Sequence, residues 1–150
     1  QKISSLESQV KDWFKPSAYG LILLMKKGYP CIFYGDYYGV KGKKSPHRKV
    51  LDMLLRARKE YAYGEEVDYF DHPNTIGFVR LGDSGHADSG LALVISNGED
   101  GEKTMSVGEN RKGEVWHVIT GSVKDTVTID EEGKGRFLVK GGKLAVWVKA

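Results

Sequence analysis

The second half of the sequence is a series of short strand-like segments, and this pattern limits the fold more than any other feature. The segments are rich in β-branched and aromatic residues, and turn-forming residues separate them. They cover residues 67–70, 75–81, 90–96, 103–107, 114–119, 125–129, 135–139 and 143–149. Eight strands with glycine-rich turns predict an antiparallel β-sandwich with Greek-key connections.

The first part of the sequence has a helical period instead. Apolar side chains recur at helical spacing over residues 6–25, but proline cannot lie inside an undisturbed helix. We therefore expect the main helix to restart near Pro16 and to end at Gly28. Apolar residues at helical spacing from Val50 to Ala57 predict a second helix, which opens with Ser45-Pro46, carries basic residues in its final turns and ends before Gly64.

The change of period near Gly64 predicts a domain boundary. It divides the chain into residues 1–64, which contain both predicted helices, and residues 65–150, which form an all-β unit. All eight tyrosines lie between Tyr19 and Tyr69, so tyrosine usage changes at the same border.

A short apolar and aromatic run lies between the two predicted helices. Residues 31–34 have the length of a strand, and Gly28 and Pro30 break the preceding helical pattern. The run predicts a buried strand that ends in a tyrosine-rich loop. Cys31, the single cysteine, is expected to be buried there as a small hydrophobe, which fits a reducing compartment.

A series of motifs extends in one order along nearly the whole chain. The motifs are Ser5-Leu6-Glu7-Ser8, Trp13-Phe14-Lys15-Pro16, Gly28-x-Pro30 with Gly35-Asp36-Tyr37-Tyr38-Gly39, Arg56-x-Arg58-x-x-Tyr61-Ala62-Tyr63-Gly64, Asp68-Tyr69-Phe70-Asp71-His72, Ser96-Asn97-Gly98 and Gly141-Gly142-x-x-x-Val146-Trp147-Val148. Together they resemble the C-terminal part of the α-amylase family of glycoside hydrolases, in its bacterial liquefying and cytoplasmic branch.

The resemblance implies an α+β chain: the last helix-strand-helix of a (β/α)8 barrel, followed by an antiparallel Greek-key β-sandwich. A complete barrel needs about 250 residues, whereas this chain has 150. The family hydrolyses internal α-1,4-glucosidic bonds of starch, glycogen and maltooligosaccharides with retention of configuration. The resemblance implies that its catalytic carboxylates lie outside these residues, in a missing N-terminal part of the barrel. The chain alone is therefore expected to be inactive.

Four residues are candidates for contact with a bound α-glucan. The resemblance implies that Trp13 stacks on a glucose ring and that Ser5 lies close to the sugar. The alternative for Trp13 is a place in the core beside Phe14. Asp36 and Tyr37 follow the predicted strand and are expected at the rim of the site, where a plain turn acid is the alternative for Asp36.

The resemblance also bears on metal binding and location. Calcium is expected for the complete family enzyme, at a position where secreted relatives carry acids. Here Asn74 and Asn97 match that position, and two neutral amides weaken a calcium site severely. We therefore expect no metal or other cofactor in this chain, and a cytoplasmic location, with secretion as the alternative.

Composition narrows the range of partners. The net charge of +3 is too small to indicate a nucleic-acid partner, and the longest apolar run is too short to span a membrane. Two other functions remain open for the β-unit: a carbohydrate-binding module or a purely structural domain. Exposed aromatic residues on a strand face would favour binding, but Trp116 and Trp147 lie in patterns that suit core positions.

Overall fold

The computed structural model describes residues 12–27, 31–39, 42–120 and 123–150. A single 3-10 turn, Asp12–Phe14, leads directly into helix α1, Lys15–Leu24. Pro16 lies in the first turn of α1, where its missing N–H costs no hydrogen bond. The predicted restart near Pro16 is therefore confirmed, but the helix ends at Leu24 rather than at Gly28, which lies outside the described residues.

The predicted strand at residues 31–34 is wrong. Residues 31–33 have no regular structure, and helix α2, Tyr34–Tyr38, follows them. A strand needs a neighbour to bond its backbone groups, and here the N–H of Phe33 donates to the hydroxyl of Tyr19 instead, at 3.1 Å. The expected burial of Cys31 is wrong for the same reason, since the thiol is exposed.

Helix α3, Arg48–Glu60, confirms the second predicted helix. Leu51, Leu54 and Ala57 form its buried face at helical spacing, and Arg58 and Lys59 occupy the last turn, where cations stabilise the carbonyl end.

All eight predicted strands are present within about two residues of their expected ends. They are β1 Glu66–Tyr69, β2 Thr75–Arg80, β3 Leu91–Ser96, β4 Gly101–Ser106, β5 Val115–Val118, β6 Thr126–Thr128, β7 Lys134–Val139 and β8 Leu144–Lys149. Six strands form one antiparallel sheet in the order β1-β2-β3-β8-β5-β6, and β4 pairs with β7 in a second sheet. The last strand, β8, therefore lies between β3 and β5, a non-local connection of the Greek-key kind.

The large sheet is the middle layer of three. Along β3, Leu91, Leu93 and Ile95 face the helices, whereas Ala92 and Val94 face the small sheet, because side chains alternate along a strand. Strand β8 alternates in the same way. Both central strands are buried on both faces, which explains why they read as continuous apolar runs.

The helices therefore share a core with the sheet. Leu24 is completely buried in this shared core. Gly20 makes the close packing possible, since a Cβ atom there would lie 2.7 Å from Cδ1 of Leu144. The chain turns at Gly64 with a φ of +82°, and a Cβ there would lie 2.1 Å from the carbonyl oxygen of Gly82. Only glycine fits at this turn.

Candidate functional site

A groove of about 470 Å³ opens between the helical layer and the start of strand β8. We call it the Trp13 groove. Its floor and walls come from segments far apart in the sequence: Asp12, Trp13, Pro16, Pro46, His47, Val50, Thr120, Gly142, Lys143 and Leu144. The 3-10 turn supplies one wall, the start of α3 supplies the second, and the turn before β8 supplies the third.

Trp13 is the main apolar surface of the groove. Its side chain is 52% exposed, so the alternative of a core position beside Phe14 does not describe it. The two rings meet edge to face with centroids 5.5 Å apart, which holds the indole in place while one side stays open. An exposed, oriented indole face suits stacking on a flat ligand surface.

His47 faces the same groove and carries an unsatisfied polar atom. Its Nε2 is buried and has no hydrogen-bond partner among the described residues, although the nearest carboxylate oxygen, Oδ1 of Asp12, lies 3.9 Å away. The backbone N–H of His47 donates to the hydroxyl of Ser45 at 3.1 Å, which fixes the start of α3. Because Nε2 is buried, a ligand in the groove would reach it only after the imidazole or the wall of the groove moved.

Asp36 lies apart from the groove and is buried. Its Oδ1 accepts a hydrogen bond from Nζ of Lys15 at 2.8 Å, and its Oδ2 accepts one from the hydroxyl of Tyr19 at 2.6 Å. Burial, followed by the hydrogen bond to Asp36, raises the pKa of Tyr19 far above its usual range. Both oxygens of the carboxylate thus serve internal contacts, and the glucan-binding role of Asp36 stays a prediction.

Tyr37 is half-buried and engaged by the neighbouring helix. Its hydroxyl donates to Oδ1 of Asp52 at 2.6 Å, and the guanidinium of Arg48 lies over its ring at 3.8 Å from the centroid. The hydrogen bond to Asp52 raises the pKa of Tyr37. These contacts attach α2 to α3. They do not test the sugar contact of Tyr37, which stays a prediction.

Asn74 and Asn97, at the position of a family calcium site, are close in space. The backbone N–H of Asn97 donates to the carbonyl of Asn74 at 3.1 Å, and both residues are exposed. Over the described residues, no group of three or more His, Cys, Asp or Glu side chains could hold a metal. Two neutral amides at a solvated turn do not fit a calcium ion, which takes six to eight oxygen ligands, usually with carboxylates among them.

The large aromatic residues of the β-unit lie in its core. Phe78, Trp116, Phe137 and Trp147 are all completely buried, which confirms the core positions expected for both tryptophans. Among the strands of residues 66–120 and 123–150, no row of exposed aromatic side chains forms a binding face; Phe70, just after β1, is the large aromatic that is exposed. This burial supports a structural role for the β-unit over a carbohydrate-binding one.

The structure thus brings together residues that the sequence did not connect. His47, Thr120 and Lys143 join Trp13 in one groove, although no spacing in the sequence links them. Lys15 is the partner of Asp36, and its place between Trp13 and Pro16 in the motif is the signal that could have revealed it. Ser5 lies outside the described residues.

Curated proteins of known activity match the chain over nearly its full length. It is 49% identical over 149 residues to a glucan 1,4-α-maltohexaosidase of Bacillus sp. strain 707, and 49% identical to an α-amylase of Bacillus licheniformis. It is 40% identical to a cytoplasmic α-amylase of Escherichia coli strain K12. These matches cover 99%, 97% and 99% of this chain but 29%, 29% and 32% of the relatives. The chain therefore spans about a third of their length or less.

Solved structures agree on the fold. An α-amylase of Anoxybacillus matches with a TM-score of 0.66 at 15% identity, over 97% of this chain and 34% of that structure. An α-amylase from Malbranchea cinnamomea matches with a TM-score of 0.68 at 12% identity, over 92% and 33%. No protein-family model matches the chain. Within the residues described, no helix is both long and apolar enough to cross a membrane.

Proposed function

Because the chain belongs to the α-amylase family, as a C-terminal portion of such an enzyme, we propose that the complete protein hydrolyses internal α-1,4-glucosidic bonds of starch, glycogen and maltooligosaccharides. The observation that carries the proposal is the identity of 49% over 149 residues to curated bacterial glucan hydrolases. The structural likeness supports the fold alone.

We assign these 150 residues a supporting role rather than the chemistry. Glycoside hydrolysis needs two carboxyl groups about 5 to 10 Å apart across the scissile bond. The Trp13 groove contains one carboxylate, that of Asp12, and Asp36 is buried against Lys15. In this proposal, residues 1–64 complete the barrel, and residues 65–150 cover it as a structural β-domain.

The Trp13 groove is the part of the chain that we assign to glucan binding. The apolar face of a glucose ring would stack on Trp13, and its hydroxyl edge would face the polar groups of Thr120 and Lys143, which line the same groove. An exposed indole beside polar groups suits a ring that is apolar on its face and polar at its edge. For Ser5, Asp36 and Tyr37, the proposed contact with the glucan rests on the family resemblance.

The activity is tested by comparing the complete protein with the 150-residue chain on soluble starch, with release of reducing ends as the readout. We expect hydrolysis by the complete protein and none above buffer by the chain alone. The proposal fails if the complete protein releases no sugar, and the supporting role fails if the chain alone is active.

The groove is tested separately in the complete protein. Replacing Trp13 with alanine should raise KM for maltooligosaccharides about two- to tenfold, because an aromatic stacking contact contributes about 0.5–1.5 kcal/mol. Tyr34→Ala is the matched control, since Tyr34 is more exposed than Trp13 but does not line the groove. Equal effects of both substitutions would contradict the assignment.

A structural β-domain without sugar contact is the alternative function for this chain, and burial of the β-unit aromatics favours it. Binding of maltooligosaccharides to the isolated chain distinguishes the two. A fluorescence change that Trp13→Ala abolishes supports the groove, whereas the absence of any binding supports a purely structural role.

The cytosol is the location that we propose, with secretion as the alternative. Support comes from the lone thiol of Cys31, which is exposed and suits a reducing compartment, and from the amides at Asn74 and Asn97. One relative is also named a cytoplasmic α-amylase. Fractionation of cells that produce the complete protein tests this, and recovery from the medium would contradict it.

A further inference from the structure

A second cavity of about 470 Å³ lies on the other side of the helical layer and is lined by cations. It opens where α1 ends, beside the last turns of α3 and the end of strand β2. Its charged residues are Lys26, Arg58, Lys59 and Arg80, and we call it the basic pocket. It shares no lining residue with the Trp13 groove.

Two guanidinium groups form the inner wall of the basic pocket. Arg80 is only 8% exposed, and it donates from Nε to the carbonyl of Gly64 and from Nη1 to the carbonyl of Leu24, at 3.1 and 2.9 Å. Nη1 of Arg58 donates to the carbonyl of Leu23 at 2.7 Å. The bonds to Leu23 and Leu24 cap the carbonyl end of α1. The hydrogen bonds fix the position of both guanidinium groups. Each guanidinium has five N–H donors, and the carbonyls accept from only one donor of Arg58 and two of Arg80.

The charge of the two arginines is not neutralised by a direct ion pair. Among the described residues, neither guanidinium has a carboxylate oxygen within ion-pair distance. Burial lowers the pKa of Arg80, and the carboxylate of Glu66 acts in the opposite direction. The carboxylates of Glu66, Glu65 and Asp83 therefore act on the buried cation from beyond ion-pair distance.

Two acidic residues lie near the pocket, and Lys26 engages both. Its Nζ lies 2.5 Å from Oε1 of Glu65, and its backbone N–H donates to Oε1 of Glu66 at 2.5 Å. Four cations thus face the carboxylates of Glu65 and Glu66 and, farther away, that of Asp83, so a surplus of positive charge remains. A bound anion would balance it.

We propose that the basic pocket binds a phosphate group, either as free phosphate or as the phosphate monoester of a small molecule. Arginine donors in fixed orientations match the oxygens of a phosphate, and each such bond is stronger than one between neutral groups. The pocket has the volume of a small-ligand site. Leu55 and Tyr63 line it beside the cations, which gives the organic part of a monoester an apolar surface. This site is independent of the proposed glucan hydrolysis.

The proposal is tested by calorimetric titration of the 150-residue chain with inorganic phosphate and, separately, with a hexose monophosphate. We expect one saturable site, with affinity that falls as the salt concentration rises. Tighter binding of the hexose monophosphate identifies a monoester site, whereas equal affinities identify a site for the phosphate group alone. The absence of saturable binding of either probe at millimolar concentration would overturn the proposal.

Substitutions on α3 distinguish the pocket from diffuse surface charge. Arg58→Gln should weaken binding at least tenfold, and Lys59→Gln should weaken it severalfold. The matched control is Arg56→Gln on the same helix, because Arg56 is exposed and paired with Glu60, outside the pocket. Equal losses in Arg56→Gln and Lys59→Gln would contradict a defined site. Lys59→Gln keeps the test valid if Arg58→Gln does not fold, since Lys59 is exposed and its replacement removes only a surface charge from the last turn of α3.

Discussion

Replacing Leu54 with alanine should destabilise the helices and the β-sandwich together, although they lie on opposite sides of the predicted boundary at Gly64. Leu54 is completely buried in the core that α1, α3 and the large sheet share. The substitution removes three carbon groups, each worth about 0.8 kcal/mol on burial, so the transfer contribution alone is about 2.5 kcal/mol. The cavity left behind raises the expected loss to as much as about 5 kcal/mol.

The matched control is the same substitution one residue later. Leu55 is 36% exposed, so Leu55→Ala opens no closed cavity and should cost less than half as much. A domain of this size is stabilised by about 5–15 kcal/mol in total. The loss from Leu54→Ala is therefore large enough to measure by urea unfolding.

The assay needs one probe on each side of the boundary. Far-ultraviolet circular dichroism follows the helices, and the fluorescence of Trp116 and Trp147 follows the sandwich core, in a Trp13→Phe background. We expect both transitions to coincide and to shift together. If the helical signal moves to lower urea while the fluorescence transition stays in place, the two parts unfold independently and the argument from a shared core is wrong.

Three further predictions concern pH, a buried ion pair and calcium. Burial and the hydrogen bond to Asp36 raise the pKa of Tyr19 above its ordinary value of 10.0, so the phenol ionises first in the unfolded chain. The free energy of unfolding, measured in urea, should therefore fall as the pH rises above about 10, and it should fall less steeply in Tyr19→Phe. The same pH dependence in both proteins would contradict this. Asp36→Asn removes the charged acceptor that Lys15 and Tyr19 share at a buried site and should cost about 3 kcal/mol in urea unfolding, and an unchanged midpoint would show that the pair is solvated. Millimolar calcium should move the melting temperature by less than about 1 °C, because Asn74 and Asn97 offer no carboxylate, and a rise of several degrees would reveal a site.

The strands and the second helix could be predicted because their signals are local. Apolar side chains that alternate or run continuously over a few residues, with turn-forming residues at each end, indicate where a strand lies. The apolar face of α3 is equally visible at helical spacing. The core positions of Trp116 and Trp147 followed from the same alternation.

Residues 31–39 could not be predicted, because short apolar runs adopt whatever conformation their neighbours can satisfy. The run would form a strand beside partner strands, but here Tyr19 accepts the N–H of Phe33 and a helical turn follows. The groove was equally hidden: Trp13, His47 and Gly142 meet only because α1 and α3 pack on the sheet beside the turn before β8.

The sequence by itself determined the eight strands, helix α3 and membership of the α-amylase family, since each depends on the order and spacing of residues along the chain. Only the tertiary structure decided the burial of Leu24, the contact of Asp36 with Lys15 and Tyr19, and the assembly of the Trp13 groove and the basic pocket. These features join side chains that are remote in sequence. Their energies depend on desolvation and on the distance between charges, which the packing of the helices on the sheet sets.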